Sequence, residues 1–450
     1  MTLIKGLQYN ANEIFGRYLL MSTASIIVAI ASFALGALLA LLMIPILVWL
    51  ERRGAGLIQD RLGPNRTNIG GFRLGGVVQS FADVVKLLLK EEYYPKHITK
   101  GKWLMMLAPV ITFVAALLAF MVIPFADNIV IAGESLRVQP LPVEYGILWF
   151  LAIGSVGVIG VFFGGWLSHN KYALLGSSRA GSMMISYELP LGLSILSLVL
   201  TYNTIDFNAM VTWQSQTFFH FLPAWGMIIQ PLAGIILIIS LFAETNRAPF
   251  SVAEGESEIV AGFFTEYTAM KFAMYFMGEY VAMNTASAVI ITMLFGGYQL
   301  PWVTTATLLE NFNHFAWAVV IILPIIIIFF IRWMRKNNRV RSTVSTDGGR
   351  SFETKVLTIA LVLMTLCVEA ILIYLIYMPS ILGTSIAVTL FQIATFVVKL
   401  MLFNLFFILV RWTLPRFRYD QVQNLGWRYL LPLSLFNIFV TSLIVVGVNL

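Results

Sequence analysis

Apolar runs long enough to cross a lipid bilayer recur through this 450-residue chain, and they constrain its fold more than any other feature. A transmembrane helix needs about 20 predominantly apolar residues. The chain is 59% hydrophobic and only 11% charged, whereas soluble domains carry about 25% charged residues. We therefore predict a single membrane domain over residues 1–450, an all-α bundle of transmembrane helices. Hydropathy predicts ten spans, at 22–50, 104–125, 146–167, 183–201, 225–243, 274–298, 315–333, 356–378, 385–410 and 429–449.

The basic residues predict the orientation of these spans. Of the 29 Lys and Arg residues, 25 lie in loops that alternation of the spans places on one side of the bilayer, and three lie on the other side. Basic residues accumulate in cytoplasmic loops. We therefore predict that both termini face away from the cytoplasm, and that the net charge of +7 reflects topology rather than nucleic-acid binding. The basic loops are 51–103, 168–182, 244–273, 332–355 and 411–428.

Cysteine and histidine are too few and too scattered to suggest a bound redox cofactor. Cys367 is the only cysteine, so the chain predicts no internal disulfide and no iron–sulfur cluster held by cysteines. No histidine lies three or four residues from another, so no helix presents a two-histidine metal site. The sequence also lacks a Walker A motif and a GxGxxG turn, and we expect no nucleotide, metal or cofactor to be bound by this chain. The histidines are His97, His169, His220 and His314.

The first basic loop, 51–103, combines a Gly-rich half with a predicted amphipathic helix. Spacing at three and four residues collects apolar side chains on one face, while Asp83, Lys86 and Lys90 lie off that face. Such a helix is typical of the membrane surface, where it contacts lipid. The alternative interpretation is an ordinary connecting loop with a lipid-anchoring helix. The apolar face consists of Val77, Val78, Phe81, Val84, Val85 and Leu88.

Carboxylates concentrate in the stretch AETNRAPFSVAEGESEIVAGFFTEY, which runs from Ala243 to Tyr267. This acidic excess opposes the basic trend of the other loops on the same side, and it therefore requires a reason. One interpretation is a solvated loop. The other is a proton-collecting funnel or a cavity lined by carboxylates. The acidic residues are Glu244, Glu254, Glu256, Glu258 and Glu266.

Glutamates also lie within or beside the predicted spans. A charge at the centre of a bilayer costs about 2.5–3.5 kcal/mol, and buried carboxyl groups that exchange protons suit a proton relay. On one continuous helix, Glu266 and Glu279 would lie about 20 Å apart and would lead from the loop toward the bilayer centre. A single intramembrane glutamate is often structural, and we favour that interpretation for Glu369. The glutamates are Glu144, Glu188, Glu244, Glu266, Glu279 and Glu369.

Four blocks of sequence, in order from about residue 44 to the C-terminus, resemble one known family. The first is GLIQDRLGPN followed by ADVVKLLLKE, and the second is NKYALLGSSRAGSMMISYE. The third is AETNRAPF with EGESEIVAGFFTEY, and the fourth is RWTLPRFRYDQ followed by GWRYLLPLSLFN. Together the blocks are similar to the H subunit of bacterial NADH-quinone oxidoreductase, the quinone-site membrane subunit of respiratory complex I.

The resemblance implies a proton-pumping NADH-quinone oxidoreductase of the cell inner membrane, with quinone as substrate. In that family the cytoplasmic loops form the membrane side of a quinone chamber. Partner subunits carry FMN and iron–sulfur clusters, and antiporter-like subunits move protons. The resemblance implies a proton path through Glu144, Glu188, Glu244, Glu266 and Glu279. It implies a quinone site formed by Arg52, Gln59, Arg61, Asp83, Lys86, Arg247, Glu254, Glu256, Glu258, Arg416 and Asp420.

Two positions depart from the family pattern, and one region exceeds it. Ser251 stands where the family usually has Asp, and Ser80 stands where it usually has Pro, although a serine at 251 can still cap a helix. The family usually has eight spans, and the surplus pair falls in 302–384.

Two other functions stay open, a homologous anchor of a hydrogenase or formate-oxidising complex and a proton-coupled secondary transporter. A transporter would favour inverted repeats and broken helices, which the sequence does not show.

Overall fold

A computed structural model describes the chain at residues 2–61, 63–64, 66–70, 72–95, 101–131, 134–218, 222–255, 259–342, 349–378 and 381–449. Helices dominate it, as the apolar runs predict. They are α1 (Thr2–Ile58), α2 (Val78–Leu89), α3 (Lys102–Phe120), α4 (Gly146–Leu167), α5 (Lys171–Tyr202), α6 (Phe207–Trp213), α7 (Gly226–Ile229), α8 (Pro231–Glu244), α9 (Ala269–Leu294), α10 (Thr305–Glu310), α11 (Phe312–Ser342), α12 (Gly349–Tyr377), α13 (Ile381–Thr413), α14 (Tyr419–Asn424) and α15 (Leu431–Asn449). A π-helix, Leu425–Leu430, joins α14 to α15.

The all-α prediction is confirmed. In the described parts of the chain, strands occur only as two short antiparallel hairpins between helices. β1 (Ile129–Ile131) pairs with β2 (Glu134–Leu136) in the connection from α3 to α4. β3 (Thr217–Phe218) pairs with β4 (Leu222–Pro223) between α6 and α7. The first hairpin adds a small apolar cluster to the bundle, in which Ile129 of β1 packs with Val28 of α1 and Ile393 of α13.

Eight helices among the described residues are long and apolar enough to cross a membrane. They coincide with eight of the ten predicted spans. The predicted span at 225–243 is interrupted at Gln230, which leaves α8 with only 14 residues. The other predicted span outside these eight, 274–298, corresponds to α9, which has 26 residues but carries Lys271 and Glu279. Every α9 residue from 283 to 294 is buried, so the surrounding helices cover the part of α9 beyond these charges.

Contacts between loops show which of them share an end of the bundle. The loop after α1 meets the loop before α9, where the N–H of Tyr93 donates to Oγ1 of Thr268 at 3.2 Å. The loop after α8 meets the loop after α13, where the N–H of Phe417 donates to the carbonyl of Pro249 at 3.0 Å. These loops belong to the predicted basic set, and we name this end of the bundle the basic end.

A lysine inside a predicted span holds the far end of α9 against α13. Lys399 Nζ donates to the carbonyls of Phe295, Gly297 and Gln299, at 2.9, 2.9 and 2.6 Å. The last carbonyls of a helix carry partial negative charge, which a cation stabilises. Farther along α13, Asn404 Oδ1 accepts a hydrogen bond from Ser287 Oγ at 2.9 Å. The position of α9 is therefore fixed by polar contacts as well as by packing.

The predicted amphipathic helix is present as α2. Near its start, Ser80 Oγ donates to the carbonyl of Pro45 in α1 at 3.0 Å, so the serine that replaces the family's usual proline joins the two helices. Val78 at the start of its apolar face is buried, but the rest of the face stays uncovered, since Phe81 is 50% exposed and Leu88 is 60% exposed. Such a face suits a lipid surface or a partner protein.

The predicted extra hairpin consists of α11 and α12, and its connection differs from the prediction. α11 continues to Ser342 and α12 begins at Gly349, so the connection is shorter than the predicted loop 332–355. Hydropathy identifies only the apolar part of a helix, whereas a helix can continue into water past the bilayer. The polar residues at both ends of the predicted loop are therefore helical.

Candidate functional site

A buried carboxylate near the basic end of α1 connects α1 to three distant segments. Glu51 Oε2 lies 2.9 Å from Arg247 Nη1, in the loop after α8. The same oxygen accepts a hydrogen bond from Tyr280 OH of α9 at 2.8 Å. Glu51 Oε1 lies 2.6 Å from Arg411 Nη1 of α13. We name these four residues the Glu51 cluster.

Three members of the Glu51 cluster are shielded from water, whereas the side chain of the fourth, Arg411, is 29% exposed. The side chain of Arg247 is 3% exposed and that of Glu51 is 9% exposed. Arg247 Cζ also lies 3.9 Å from the centroid of the Tyr280 ring, which is a cation–π contact. Removing one partner from such a buried pair costs about 3–5 kcal/mol, because the other charge stays buried without compensation. The cluster therefore fixes the loop after α8 against α1 and α9.

A cavity of about 100 Å³ lies beside the cluster, between α3, α4, α9 and the end of α8. Thr245 and Asn246, which directly precede Arg247, form part of its wall, so cavity and cluster share one short loop. The rest of the wall is mostly apolar or glycine. The polar side chains that line the cavity are Thr112, Glu244, Thr245, Asn246, Tyr275, Glu279 and Thr285.

Two of the carboxylates singled out in the sequence line this cavity, and a third lies near one of them. Glu244 and Glu279 line it directly, from α8 and α9. Glu188 of α5 accepts a hydrogen bond from Ser155 Oγ of α4, and it lies near enough to Glu244 for the two charges to interact. Gly154 precedes Ser155, and a Cβ at this glycine would lie 3.0 Å from Glu244 Oε1. One turn of α4 therefore contacts both carboxylates.

One carboxylate oxygen of Glu244 is left without a hydrogen bond from the described residues. This oxygen, Oε2, is buried. Buried polar atoms are normally hydrogen-bonded, because an unsatisfied one costs free energy. A carboxyl group that no protein donor holds in the ionised form can take up and release a proton as the nearby charges change.

Two of the five glutamates assigned to the proton path lie elsewhere. The expectation that Glu266 and Glu279 share one continuous helix is wrong, because α9 begins at Ala269. Glu266 precedes the helix and accepts a hydrogen bond from Asn170 Nδ2 at 2.8 Å. Glu144 is exposed in the turn before α4, at the end of the bundle opposite the basic end. Neither of them lines the cavity.

Several residues assigned to the quinone site lie on the surface of the basic end. Arg52 Nη1 lies 2.5 Å from Asp83 Oδ2, so the end of α1 is paired with α2. Arg61 Nε donates to Gln59 Oε1 at 2.6 Å, and both side chains are exposed. Lys86 of α2 is also exposed. These groups can face a partner or a ligand, and they do not line the cavity.

Of the remaining residues assigned to the quinone site, only Arg247 is seen in the Glu51 cluster among the described residues. Arg416 and Asp420 are exposed, and Asp420 Oδ1 lies 3.4 Å from Arg418 Nε. Glu256 and Glu258 fall outside the described residues. Glu254 is the last residue of the short 3₁₀ helix Val252–Glu254, and the position of its side chain is likewise outside the described set.

Ser251 does not act as the helix cap that its residue type allows. It occupies the position before the 3₁₀ helix Val252–Glu254, but its side chain makes no capping hydrogen bond. Its Oγ atom is buried and has no partner among the described residues. The departure from the family's Asp is therefore not compensated by a cap.

The sequence reasoning missed Glu51, Tyr280 and Arg411. Glu51 opens the motif ERRGAG at the end of an apolar run, where a charged residue normally marks the water boundary. Tyr280 follows Glu279 directly, and Arg411 opens the RWTLPRF block. Arg411 lies inside a block that carries the family resemblance, whereas Glu51 and Tyr280 lie outside the four blocks, five residues before the first and 13 residues after the third. No spacing rule relates residues so far apart in sequence.

A second ion pair ties the loop after α2 to the start of α9. Lys271 Nζ lies 3.1 Å from Glu92 Oε2 and 3.5 Å from the centroid of the Tyr94 ring. The hydrogen bond from Lys271 lowers the pKa of the Glu92 carboxyl below its ordinary value of 4.5. Glu92 is well exposed, so the pair orients the loop more than it stabilises the fold.

No metal site emerges from the described residues. Among them, no three His, Cys, Asp or Glu side chains come together in a way that could hold a metal ion.

The candidate site consists of a buried ionic cluster, a small cavity with three carboxylates in or near its wall, and exposed polar groups around α2. Such an arrangement suits proton transfer and contact with a polar ligand head.

Comparison with known proteins identifies the family. A model of the NADH dehydrogenase family matches residues 30–347 and 347–442. The H subunit of NADH-quinone oxidoreductase from Flavobacterium johnsoniae is 33% identical over 397 residues, which cover 88% of this chain and 89% of that protein. The proteins of the same name from Bdellovibrio bacteriovorus and Salinibacter ruber are each 35% identical, over 89% and 92% of this chain and 92% and 96% of their own lengths. The chain therefore belongs to the NADH dehydrogenase family, together with these H subunits of NADH-quinone oxidoreductase.

Proposed function

We propose that the chain is a membrane subunit of a proton-pumping NADH-quinone oxidoreductase, and that it couples quinone reduction to proton movement. The observation that carries this proposal is the short segment 244–247, which consists of the last residue of α8 and the three residues after it. Its first residue is a cavity carboxylate, Glu244, and its last is Arg247, which holds Glu51. Arg247 of the Glu51 cluster is therefore only three residues from Glu244, a carboxyl group inside the bundle, so a change of charge at the cluster can reach that carboxyl group.

The quinone head would meet the basic end of the bundle. A quinone needs an apolar slot for its tail and a few polar groups for its head. Arg52, Gln59 and Arg61 offer such groups at the surface beside α2, whose apolar face is uncovered. Arg247 Nε and Nη2 make no hydrogen bond with a described residue, so the guanidinium keeps donors that a reduced quinone could recruit after a small movement. Partner subunits, which hold the FMN and iron–sulfur clusters in this proposal, supply the electrons.

Reduction of a quinone to a quinol adds two electrons and two protons, and the groups near the quinone head that give up those protons each become more negative by one charge. In this proposal that change of charge occurs next to the Glu51 cluster. Interactions between charges weaken slowly with distance where water is excluded. Glu279 lies close enough to Arg247 to interact with it electrostatically, and Glu188 interacts with Glu244. In this proposal, a proton that enters or leaves one carboxyl group around the cavity changes the charge that the neighbouring carboxyl groups experience, and proton movement passes from one group to the next.

The proposed cellular setting follows from the charge distribution and from the named relatives. The basic end faces the cytoplasm, both termini face the periplasm, and the membrane is the cell inner membrane. The uncovered α2 face and the exposed groups near it would meet lipid and the peripheral quinone-site subunits. The antiporter-like membrane subunits would receive the protons that leave the cavity.

Substitution of the cavity carboxylates tests the proposal. Glu244→Gln and Glu279→Gln keep side-chain shape and remove titration. We expect purified complexes that are fully assembled, reduce quinone about tenfold or more slowly, and pump fewer protons after reconstitution in vesicles, since one lost step of about 1.4 kcal/mol is tenfold in rate. Glu310→Gln is the matched control, because Glu310 is an exposed carboxylate at the end of α10.

Normal turnover and normal proton pumping in both variants would contradict the coupling role and leave the carboxylates as structural contacts. A slow rate with an unchanged ratio of protons to electrons would place the carboxylates in quinone reduction but not in the proton path. Loss of the assembled complex in the Gln variants, but not in Glu310→Gln, would show a structural role instead.

A further inference from the structure

The hairpin of α11 and α12 has very little protein around it. In the membrane-length parts of these helices, 11% of the α11 residues and 6% of the α12 residues are buried, against 56% for α5. Both helices expose large apolar side chains on more than one face, for example Ile326 at 56% and Met364 at 59%. A helix pair that the rest of the chain barely covers is open to lipid or to another membrane protein.

The hairpin is attached to the bundle near one end. The attachment is a small apolar cluster in which Leu308, Phe312 and Ala316 pack against Val388 of α13. The rings of Phe315 and Phe391 meet edge to face there, with centroids 5.6 Å apart. Phe312, Phe315 and Ala316 lie in the first two turns of α11. The attachment is therefore at the end of the bundle opposite the basic end. The rest of the hairpin length has no comparable buried cluster among the described residues.

Glu369 lies inside this poorly covered hairpin, and the sequence interpretation of it as a structurally paired residue is not supported. It is eight residues before the end of α12 at Tyr377, about 12 Å along the helix axis. Its side chain is half-buried, and no hydrogen bond or ion pair joins it to another described residue. A carboxylate within a bilayer costs about 2.5–3.5 kcal/mol, and such groups almost always pair with another polar group.

We propose that the α11–α12 hairpin is a lateral docking surface for a transmembrane helix of another subunit, and that this helix presents a hydrogen-bond donor to Glu369. The inference rests on the proposed place of this chain in a multi-subunit complex. Lipid tails offer no donor at the depth of Glu369. A second copy of this chain, docked symmetrically through α12, would bring a second carboxylate to the same depth, and like charges repel. A helix with Lys, Arg, Ser, Thr or Tyr at that depth satisfies the carboxylate and covers the apolar faces together.

The single cysteine of the chain provides a direct test in the intact complex. Cys367 is exposed on α12, at nearly the same depth as Glu369, although two residues turn a helix by about 200°, so the two side chains lie on different faces of α12. A maleimide–benzophenone cross-linker attached to Cys367 reaches past a helix of about 10–12 Å diameter to a protein packed beside it. We expect light to cross-link Cys367 to another membrane subunit of the purified complex, and mass spectrometry to map the site to a helix with a donor side chain. Cys367→Ser should abolish the adduct.

Variants of Glu369 separate docking through the carboxylate from mere proximity. Glu369→Leu suits a lipid-facing helix, so the hairpin should still insert, but the cross-link should fall about tenfold or more because the polar contact is gone. Glu369→Gln still accepts a hydrogen bond and should retain most of the cross-link. Glu310→Leu is the matched control, since Glu310 is an exposed carboxylate outside the hairpin.

Each contrary result overturns the inference in a specific way. Adducts with phospholipid alone would show a lipid-facing hairpin, and adducts between two copies of this chain would show self-association. An unchanged yield in Glu369→Leu would show that the carboxylate does not hold the partner. Because the readout is subunit proximity, a failure of the proton-coupling proposal, seen as normal pumping in Glu244→Gln, leaves this test unaffected.

Discussion

Arg247 Nη1 lies 2.9 Å from Glu51 Oε2, although 196 residues separate the two in sequence. The contact joins the end of α1 to the loop after α8, and Tyr280 and Arg411 complete it from α9 and α13. Arg247 lies in the loop directly after α8, and Glu244, the last residue of α8, lines the cavity. The ionic cluster at the basic end and the carboxylates inside the bundle are therefore parts of one connected site.

Removal of Glu51 should destabilise the subunit more than removal of an exposed carboxylate. In Glu51→Ala, Arg247 would stay buried without a counter-charge, which costs about 3–5 kcal/mol. We expect a large drop in the amount of subunit in the purified complex and a lower unfolding temperature. Glu92→Ala breaks the exposed pair with Lys271 and should cost at most about 1 kcal/mol. Equal abundance and stability of the two variants would show that the Glu51 cluster does not hold the fold.

The helices could be predicted from sequence because membrane insertion demands long apolar runs, and α4 lies at the predicted residues 146–167. The three carboxylates in or near the cavity wall were also singled out, since charge inside an apolar run is conspicuous. Glu51 and Arg411 were not, because a charge at the end of a span looks like an ordinary boundary residue. Their pairing depends on how α1 and α13 pack, and sequence spacing carries no information on that packing.

Gly154 offers a way to disturb Glu244 without replacing a polar group. In Gly154→Ala, the new methyl carbon would lie 3.0 Å from Glu244 Oε1, which forces the carboxylate to move. Because that oxygen is the end of a flexible side chain beside a cavity, the carboxylate can give way by a few tenths of an ångström, and its position changes more than the stability of the fold. Gly157→Ala adds the same methyl group to the same cavity wall, where the nearest atom is the Ala115 Cβ at 3.8 Å.

We expect Gly154→Ala to slow quinone reduction and proton pumping severalfold and Gly157→Ala to leave both rates close to the parent values. The measurement is the initial rate of each activity in vesicles that contain equal amounts of assembled complex. If both variants behave alike, the cavity volume matters and the position of the Glu244 carboxyl does not.

Arg61 should affect the quinone affinity of the complex without affecting its assembly. Its guanidinium is exposed and bonded to Gln59 Oε1 at 2.6 Å, so its loss leaves no buried charge. A hydrogen bond from a charged group contributes about 1.5–3 kcal/mol, so Arg61→Ala should raise the quinone KM about tenfold or more. Electron input to an artificial acceptor should stay normal. Lys171→Ala, at the exposed start of α5, is the control, and an equal KM in both variants would remove Arg61 from the quinone site.

The orientation of the bundle can be tested by reporters at two positions. The 25 basic residues on one side predict that a fusion after Leu450 is periplasmic and that an insertion near Gly348 is cytoplasmic. Both positions lie outside the described residues. Alkaline phosphatase activity at the first position and green fluorescence at the second would agree with ten spans. The opposite result at one position alone would require an even number of spans between the two points instead of three, and the opposite result at both positions would mean a reversed bundle.

Lys399 should prove important for stability although it lies far from the Glu51 cluster. Its ammonium group donates to three backbone carbonyls just beyond α9, and Lys399→Met would leave them without this donor. Each unsatisfied buried acceptor costs about 1–3 kcal/mol, so the subunit should become much less abundant in the membrane. The basic end of α9 would still be held by Tyr280 and Glu51, so turnover per assembled complex should fall less than abundance. Lys336→Met, at an exposed position on α11, is the control, and equal abundance and equal unfolding temperature in both variants would show that the end of α9 does not need the lysine.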